Sequence, residues 1–221
     1  MPHPSPIATV DVVLLTLKDS RLRVLLHPRD KEPFLGHDAL PGGYIRVQED
    51  EDAADAARRV LREKLGVEAP YLDQLATFSG KFRDPRGWSL SVAYFALVPE
   101  ETLGGRPSAP VDELRSLPFD HAAIVAAAAE RLRGRAGYSV LPCFLLPERF
   151  TLRQMQDVYE DVLGVGRNGI DAVVFRRKVI GTLVVPIEGE TTPGGGRAGR
   201  PAQLYRVADE RDRTLRSSLG T

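Results

Sequence analysis

The sequence predicts an α+β fold in two parts, and three observations carry that reading. Residues 1–137 hold apolar, β-branched runs around one strongly patterned helix that follows a Leu40-Pro41-Gly42-Gly43 turn. Residues 138–210 hold two helical periods separated by glycines, then two short strands around a Gly-rich loop. The 221 residues are 43% hydrophobic and 27% charged with a formal net charge of +0, values of a globular chain whose binding faces must be local.

In chain order, Ile7–Leu17 and Leu22–Leu26 are β-branched or Leu-rich runs flanking Lys18-Asp19-Ser20, which predicts a hairpin. Ala53, Ala56, Ala57, Val60, Leu61 and Leu65 recur at helical spacing, and Gly66 is a C-terminal stop. Trp88–Val98 alternates as a strand, and Gly104–Pro110 reads as a punctuated loop. Phe119–Arg135 is Ala-rich and predicts a helix with Asp120 as its N-cap. Thr151 caps a helix whose apolar face is Leu152, Met155, Val158, Tyr159, Val162 and Leu163, ended by Gly164 and Gly166. A second helix begins at Gly169 or Ile170, buries Ile170, Val174, Phe175 and Val179, and stops at Gly181. Leu183–Ile187 and Gln203–Val207 bracket the loop Thr191–Gly199. Helix, tight turn, helix, strand, loop, strand is the layout of a winged helix-turn-helix. Residues 211–221 form a charged tail.

The single Cys143 excludes an internal disulfide, and its neighbours Phe144, Leu145 and Leu146 predict a buried, inert thiol. No apolar run approaches the length of a membrane span, and Met1–Pro6 lacks the pattern of a signal peptide, so a cytoplasmic protein without membrane contact is expected.

The segment from Pro41-Gly42-Gly43 through Arg59-Val60-Leu61-Arg62-Glu63-Lys64-Leu65-Gly66-Val67 resembles the Nudix box, G-x5-E-x7-R-E-U-x-E-E-x-G-U with U apolar. Its scaffold residues are present, but two of the three core glutamates are Val60 and Lys64. The resemblance implies an α/β/α sandwich for the N-terminal domain. Mg²⁺ needs several oxygen ligands and activates water on them. Val60 offers no oxygen, and Lys64 places a positive charge where the metal would sit. Glu63 remains. Counted from the helix, Glu51 takes the family's first Glu position; counted from Gly43, Glu49 does. No metal site or catalytic residue is expected.

The second part carries Arg176-Arg177-Lys178 on its second helix, with Arg167 and Asn168 in the preceding turn. Between Val165 and Val207 seven basic residues face three acidic ones. In a helix-turn-helix the second helix enters the major groove, and clustered cations supply phosphate affinity. Arg197 and Arg200 in the loop add an arm of the kind that enters minor grooves.

Both halves together, from the altered box through Phe150-Thr151-Leu152-Arg153, Phe175-Arg176-Arg177-Lys178 and Gly199-Arg200-Pro201-Ala202-Gln203-Leu204-Tyr205-Arg206, resemble the Nudix-related transcriptional regulators of NAD metabolism, the NrtR family. The resemblance implies a homodimeric repressor of NAD biosynthesis or salvage genes that binds double-stranded operator DNA and is released by ADP-ribose or a related nucleotide, with no cofactor required. By position it implies effector contacts from Arg83, Asp84 and Arg86, with Arg29, Phe34 and Glu63 as further effector residues. DNA contacts fall to Arg167, Asn168, Arg176, Arg177, Lys178, Arg197 and Arg200. The alternative is an Mg²⁺-dependent ADP-ribose pyrophosphatase with a DNA-binding appendage, recruiting Glu63 with Glu49 or Glu51.

Overall fold

The computed structural model describes residues 5–192 and 201–208. The chain divides into two compact units, residues 1–18 with 22–131 and residues 19–21 with 132–221.

In the first unit β1 (Ile7–Lys18) turns into β2 (Arg21–Leu25) through Asp19 and Ser20, both with positive φ, the backbone that matches the twist of a tight hairpin. The two-residue strands β3 (His27–Pro28) and β4 (Asp38–Ala39) pair with each other, and β5 (Gly42–Tyr44) pairs with β1. Helix α1 (Ala53–Val60) follows, capped by the Asp52 carboxylate, which accepts from Asp55 N at 2.8 Å. It continues as a π turn over Leu61–Leu65 and ends at Gly66, whose φ of 60° favours glycine. Then come β6 (Tyr71–Asp84), β7 (Gly87–Leu97), β8 (Ser108–Pro110) and α2 (His121–Ala136). The sheet order is β6-β7-β1-β2-β8, with β1 parallel to β7 from Ile7↔Ser89 to Leu15↔Leu97.

The near-continuous apolar run of β1 is explained by burial on both faces. Val10, Val12 and Leu14 pack with Ala56, Ala57, Val60 and Leu61 of α1. Val13 and Leu15 alternate to the opposite face and are equally buried. Helix α2 buries Ile124, Val125, Ala128 and Ala129, and is tied to β6 by Arg131 Nη2 donating to Leu75 O at 3.0 Å.

Two local expectations need correction, and one strand was not anticipated. Residues 71–84 form a long strand that its sequence does not announce. It is the sheet's edge, with only Leu75 and Asp84 buried, so its apolar alternation is weak. The segment expected to be a loop over Gly104–Pro110 ends as β8, pairing Arg23↔Pro110. Asp120 does sit before α2, but its carboxylate is held by Arg83 rather than by the helix amides.

The second unit contains β9 (Phe150–Thr151), α3 (Leu152–Leu163), α4 (Ala172–Val179), β10 (Val184–Thr191) and β11 (Gln203–Val207), with sheet order β10-β11-β9. Thr151 and Gln154 form a capping box, and Gly164 ends α3 at φ 70°. Met155, Tyr159, Ile170, Phe175 and Val179 are buried, and the Tyr159 and Phe175 rings meet edge to face at 5.5 Å. Helix α4 starts at Ala172 rather than at Gly169 or Ile170. The Asp171 carboxylate accepts from Val173 N and Val174 N, fixing the cap there. Strand β10 runs to Thr191, beyond the expected Ile187, while Gln203–Val207 lies where expected.

Cys143 is buried with its thiol 3.7 Å from the Tyr159 hydroxyl, and burial pushes it up to about 12, an inert thiol. Among the described residues no helix is long and apolar enough to cross a membrane. Residues 211–221 lie outside the described residues.

Candidate functional site

A cavity of about 650 Å³ opens in the first unit, between β1, β5, the face of α1, the tip of the β6–β7 hairpin and the start of α2. It gathers Arg29, Glu63, Arg83, Asp84 and Arg86 of the sequence-predicted effector residues. Phe34 does not line it. That ring instead backs Phe119, a lining residue, at 5.1 Å, and Arg29 lies 4.8 Å over the Phe119 ring.

The tip of the hairpin folds on itself. Asp84 Oδ1 accepts from Arg86 N at 2.9 Å and Nε at 3.0 Å, and Oδ2 accepts from Arg86 Nη2 at 2.7 Å. Burial alone would raise the Asp84 carboxyl; these bonds outweigh it and hold the group below the usual carboxylate range. Arg86 also donates to the Tyr44 hydroxyl at 2.6 Å. Arg83 forks onto Asp120 at 3.0 and 2.8 Å and lies 3.6 Å from Asp11.

Asp11 is the lone charge in the apolar run of β1, and that signal could have marked it as a site residue. A Cβ on Gly42 would fall 2.0 Å from Asp11 Oδ1, so this glycine is required by close approach. His121 lies 3.6 Å from the same carboxylate through Nε2, while its Nδ1 accepts from Leu40 N at 3.0 Å. Burial lowers the His121 pKa, so the ring is neutral with its proton on Nε2.

The altered box is rewired rather than emptied. Arg59 forks onto Asp50 at 2.7 and 2.8 Å and donates to Tyr44 O at 3.1 Å, which pins the loop after β5 against α1. The guanidinium holds the Asp50 carboxyl down to about 2. Neither Glu49 nor Glu51 lines the cavity; Glu49 pairs with Arg46 at 2.8 Å. Glu63 is taken by both Arg46 nitrogens at 2.9 Å and by Arg59 Nη1 at 3.4 Å. Val60 and Lys64, one turn apart, both line the cavity, and burial first of all lowers the Lys64 pKa. Among the described residues no three His, Cys, Asp or Glu side chains converge at metal-ligand distances. Tyr44, Arg46, Asp11 and His121 are among the lining residues that sequence reasoning missed.

In the second unit Arg176 and Arg177 are exposed on α4 and make no ion pair among the described residues, beside Val173, which is 74% exposed. Lys178 is half-buried on the same helix. Phe175 and Val179, four apart, anchor the opposite face in the core. Arg167 and Asn168, expected to face DNA, are structurally engaged. Arg167 pairs with Asp161 at 3.1 Å and Asp157 at 3.4 Å, and Asn168, with φ 61°, accepts from Arg153 at 3.2 Å. Arg197 and Arg200 lie outside the described residues.

The turn between the helices is organised by Glu160, which is fully buried. It accepts from Gln156 Nε2 at 2.9 Å, Asn168 N at 3.0 Å and Ile170 N at 3.3 Å. Burial would raise its pKa, but the hydrogen bonds hold it low.

Residues 6–136 match the NUDIX domain family, and residues 142–207 match the NrtR DNA-binding winged helix domain. The chain is 37% identical over 216 residues to an Acinetobacter baylyi protein named ADPR responsive transcriptional repressor NtrR, covering 93% of this chain and 84% of that protein. It is similar to Shewanella oneidensis NrtR complexed with a 27mer DNA, with a TM-score of 0.84 and 36% identity, covering 96% of this chain and 98% of that one. It is also similar to the NUDIX domain of Shewanella oneidensis NrtR complexed with ADP ribose, with a TM-score of 0.53 and 37% identity over 59% of this chain and 90% of that one.

Proposed function

The chain belongs to the NrtR family, a Nudix domain joined to a DNA-binding winged helix, and on that premise we propose that it is an ADP-ribose-responsive transcriptional repressor. Residues 1–137 read an ADP-ribose-like nucleotide, and residues 138–210 hold double-stranded operator DNA. The genes controlled are those of NAD biosynthesis or salvage. The protein works as a cytoplasmic homodimer, since paired half-sites mirror a two-fold assembly.

One observation carries the reading of a binding pocket rather than a cutting one. Glu63, the surviving core carboxylate of the box, is clamped by Arg46 and Arg59, while Val60 and Lys64 occupy the other two positions. The pocket therefore needs no cofactor to hold its ligand and does not hydrolyse it. Arg176 and Arg177 meet phosphates or guanine edges, a reading supported by their exposure on α4 and by the burial of Phe175 beside them. The effector releases DNA only through its differential affinity for the DNA-free conformation.

A gel-shift titration on the chain's own upstream promoter and its neighbours tests the proposal. A specific shift reversed by ADP-ribose is expected. No shift at any of these promoters, or one indifferent to ADP-ribose and related nucleotides, overturns it. Phosphate release from ADP-ribose in a phosphatase-coupled assay with Mg²⁺ would reveal hydrolysis, and abolition of that turnover in Glu63→Gln would establish the enzyme reading instead.

A further inference from the structure

We propose that Lys64 stands in for a divalent cation, giving the cavity a fixed, metal-free counter-charge for the diphosphate of its ligand. This rests on the reading of the cavity as a nucleotide-diphosphate pocket.

The arginines that line the cavity are already engaged. Arg86 is committed to Asp84, Arg83 to Asp120, Arg59 to Asp50 and Arg46 to Glu63. Arg29 donates to Pro33 O at 2.7 Å and covers the Phe119 ring. Lys64 differs. Lys31 also lines the cavity but is exposed, whereas Lys64 lines it half-buried and, among the described residues, makes no hydrogen bond or ion pair. An ammonium that has lost part of its water and has no carboxylate in contact, with Asp30 and Asp11 acting only from longer range, is under-compensated, and an anion entering the cavity restores what it lost. Burial depresses its pKa in the same sense.

Position supports the same conclusion. Lys64 lies one helical turn beyond Val60, on the face of α1 and its π turn that borders the cavity. In the box pattern both positions carry carboxylates that hold metal ions over the phosphates. A lysine there delivers positive charge to the same space without the metal. Its three donors on a compact head bind phosphate as a point charge. Mg²⁺ would have to compete with that ammonium and with the guanidinium groups already on Glu63. Ligand binding is thereby freed from divalent cation, and the pocket reports nucleotide alone.

Isothermal titration of the full chain decides the matter, with ADP-ribose and inorganic pyrophosphate as ligands, each in EDTA and in Mg²⁺. For the wild type, ADP-ribose affinity should agree within about twofold between the two buffers. Lys64→Gln and Lys64→Met, which keep the stem and remove the charge, should weaken binding about tenfold or more in EDTA, the scale expected when one member of a desolvated charge pair is lost. Lys64→Arg should retain more affinity than either, with unchanged thermal melts showing that the fold is intact. Binding that requires Mg²⁺ overturns the inference while leaving the repressor reading standing, as does wild-type affinity in both neutral variants. If ADP-ribose fails to bind under any condition, the effector assignment falls, and the pyrophosphate arm decides: binding in EDTA that Lys64→Gln abolishes sustains the inference, and its absence ends it.

Discussion

Replacing Glu160 by Gln should loosen the turn that aims α4, and the size of the effect follows from the hydrogen bonds. Glu160 Oε1 serves Gln156 and Ile170, and Oε2 serves the Asn168 amide at 3.0 Å. A glutamine keeps one acceptor oxygen and sets an NH₂ against a donor, leaving a buried N–H unsatisfied at a cost of about 1–3 kcal/mol. The second unit spans residues 132–221 with 19–21, a size at which each kcal/mol lowers Tm by about 4–8 °C. Glu160→Ala removes all three bonds and should cost more. Differential scanning calorimetry at pH 7 measures both. Hydrogen exchange at Asn168 and Ile170 should accelerate, and operator affinity should fall because α4 is no longer held in one orientation. The pH dependence has a definite sign. The folded pKa is depressed, so the stabilisation is complete above the unfolded value of about 4.3 and is lost as pH falls through the lower folded value. Wild-type melting for Glu160→Gln, with Asn168 and Ile170 exchange unchanged, would refute the role given to this carboxylate.

Arg177→Ala, or Arg176→Ala, should weaken operator binding by about 1–3 kcal/mol if the side chain reads a base, measured by fluorescence anisotropy; no effect from either would displace α4 from the groove. Arg86→Ala should leave DNA binding intact while the shifted band no longer responds to ADP-ribose; equal loss of DNA binding would mark Arg86 as structural. Gly42→Ala forces a methyl to 2.0 Å from Asp11 Oδ1, so it should destabilise the first unit by about 1–3 kcal/mol in a thermal melt, and a neutral result would show that Asp11 can move aside.

Strong local rules made much of the fold legible. Thr151 with Gln154, Gly164 and Gly66 announce caps and stops, and the structure uses all of them. The β1 run is so uniformly apolar that only a strand buried on both faces accommodates it. Strand β6 was opaque because this edge strand buries only Leu75 and Asp84 and so lacks the alternation that marks burial. The cavity was partly legible. The Phe82–Trp88 stretch pointed to Arg83, Asp84 and Arg86, but long-range partners left no trace in spacing. Arg46 meets Glu63 across 17 positions, and Arg83 meets Asp120 across 37. The part Asn168 plays in the turn left no mark in the sequence, since its amide meets Glu160 eight positions away and its φ is positive.

The rewired box also limits what substitution can restore. In the linear pattern, restoring the family's glutamates is a change at two positions. In three dimensions Val60 is 1% exposed, packed among Ala56, Ala57 and Leu61, and its Cγ2 lies 3.4 Å from where a Cβ on Gly43 would stand. A glutamate there would put a charge into the apolar packing of α1, and one at position 64 would still find Glu63 in the grip of Arg46 and Arg59. Each substitution alone therefore meets neighbours already fitted to the present side chains, apolar packing around Val60 and two arginines on Glu63.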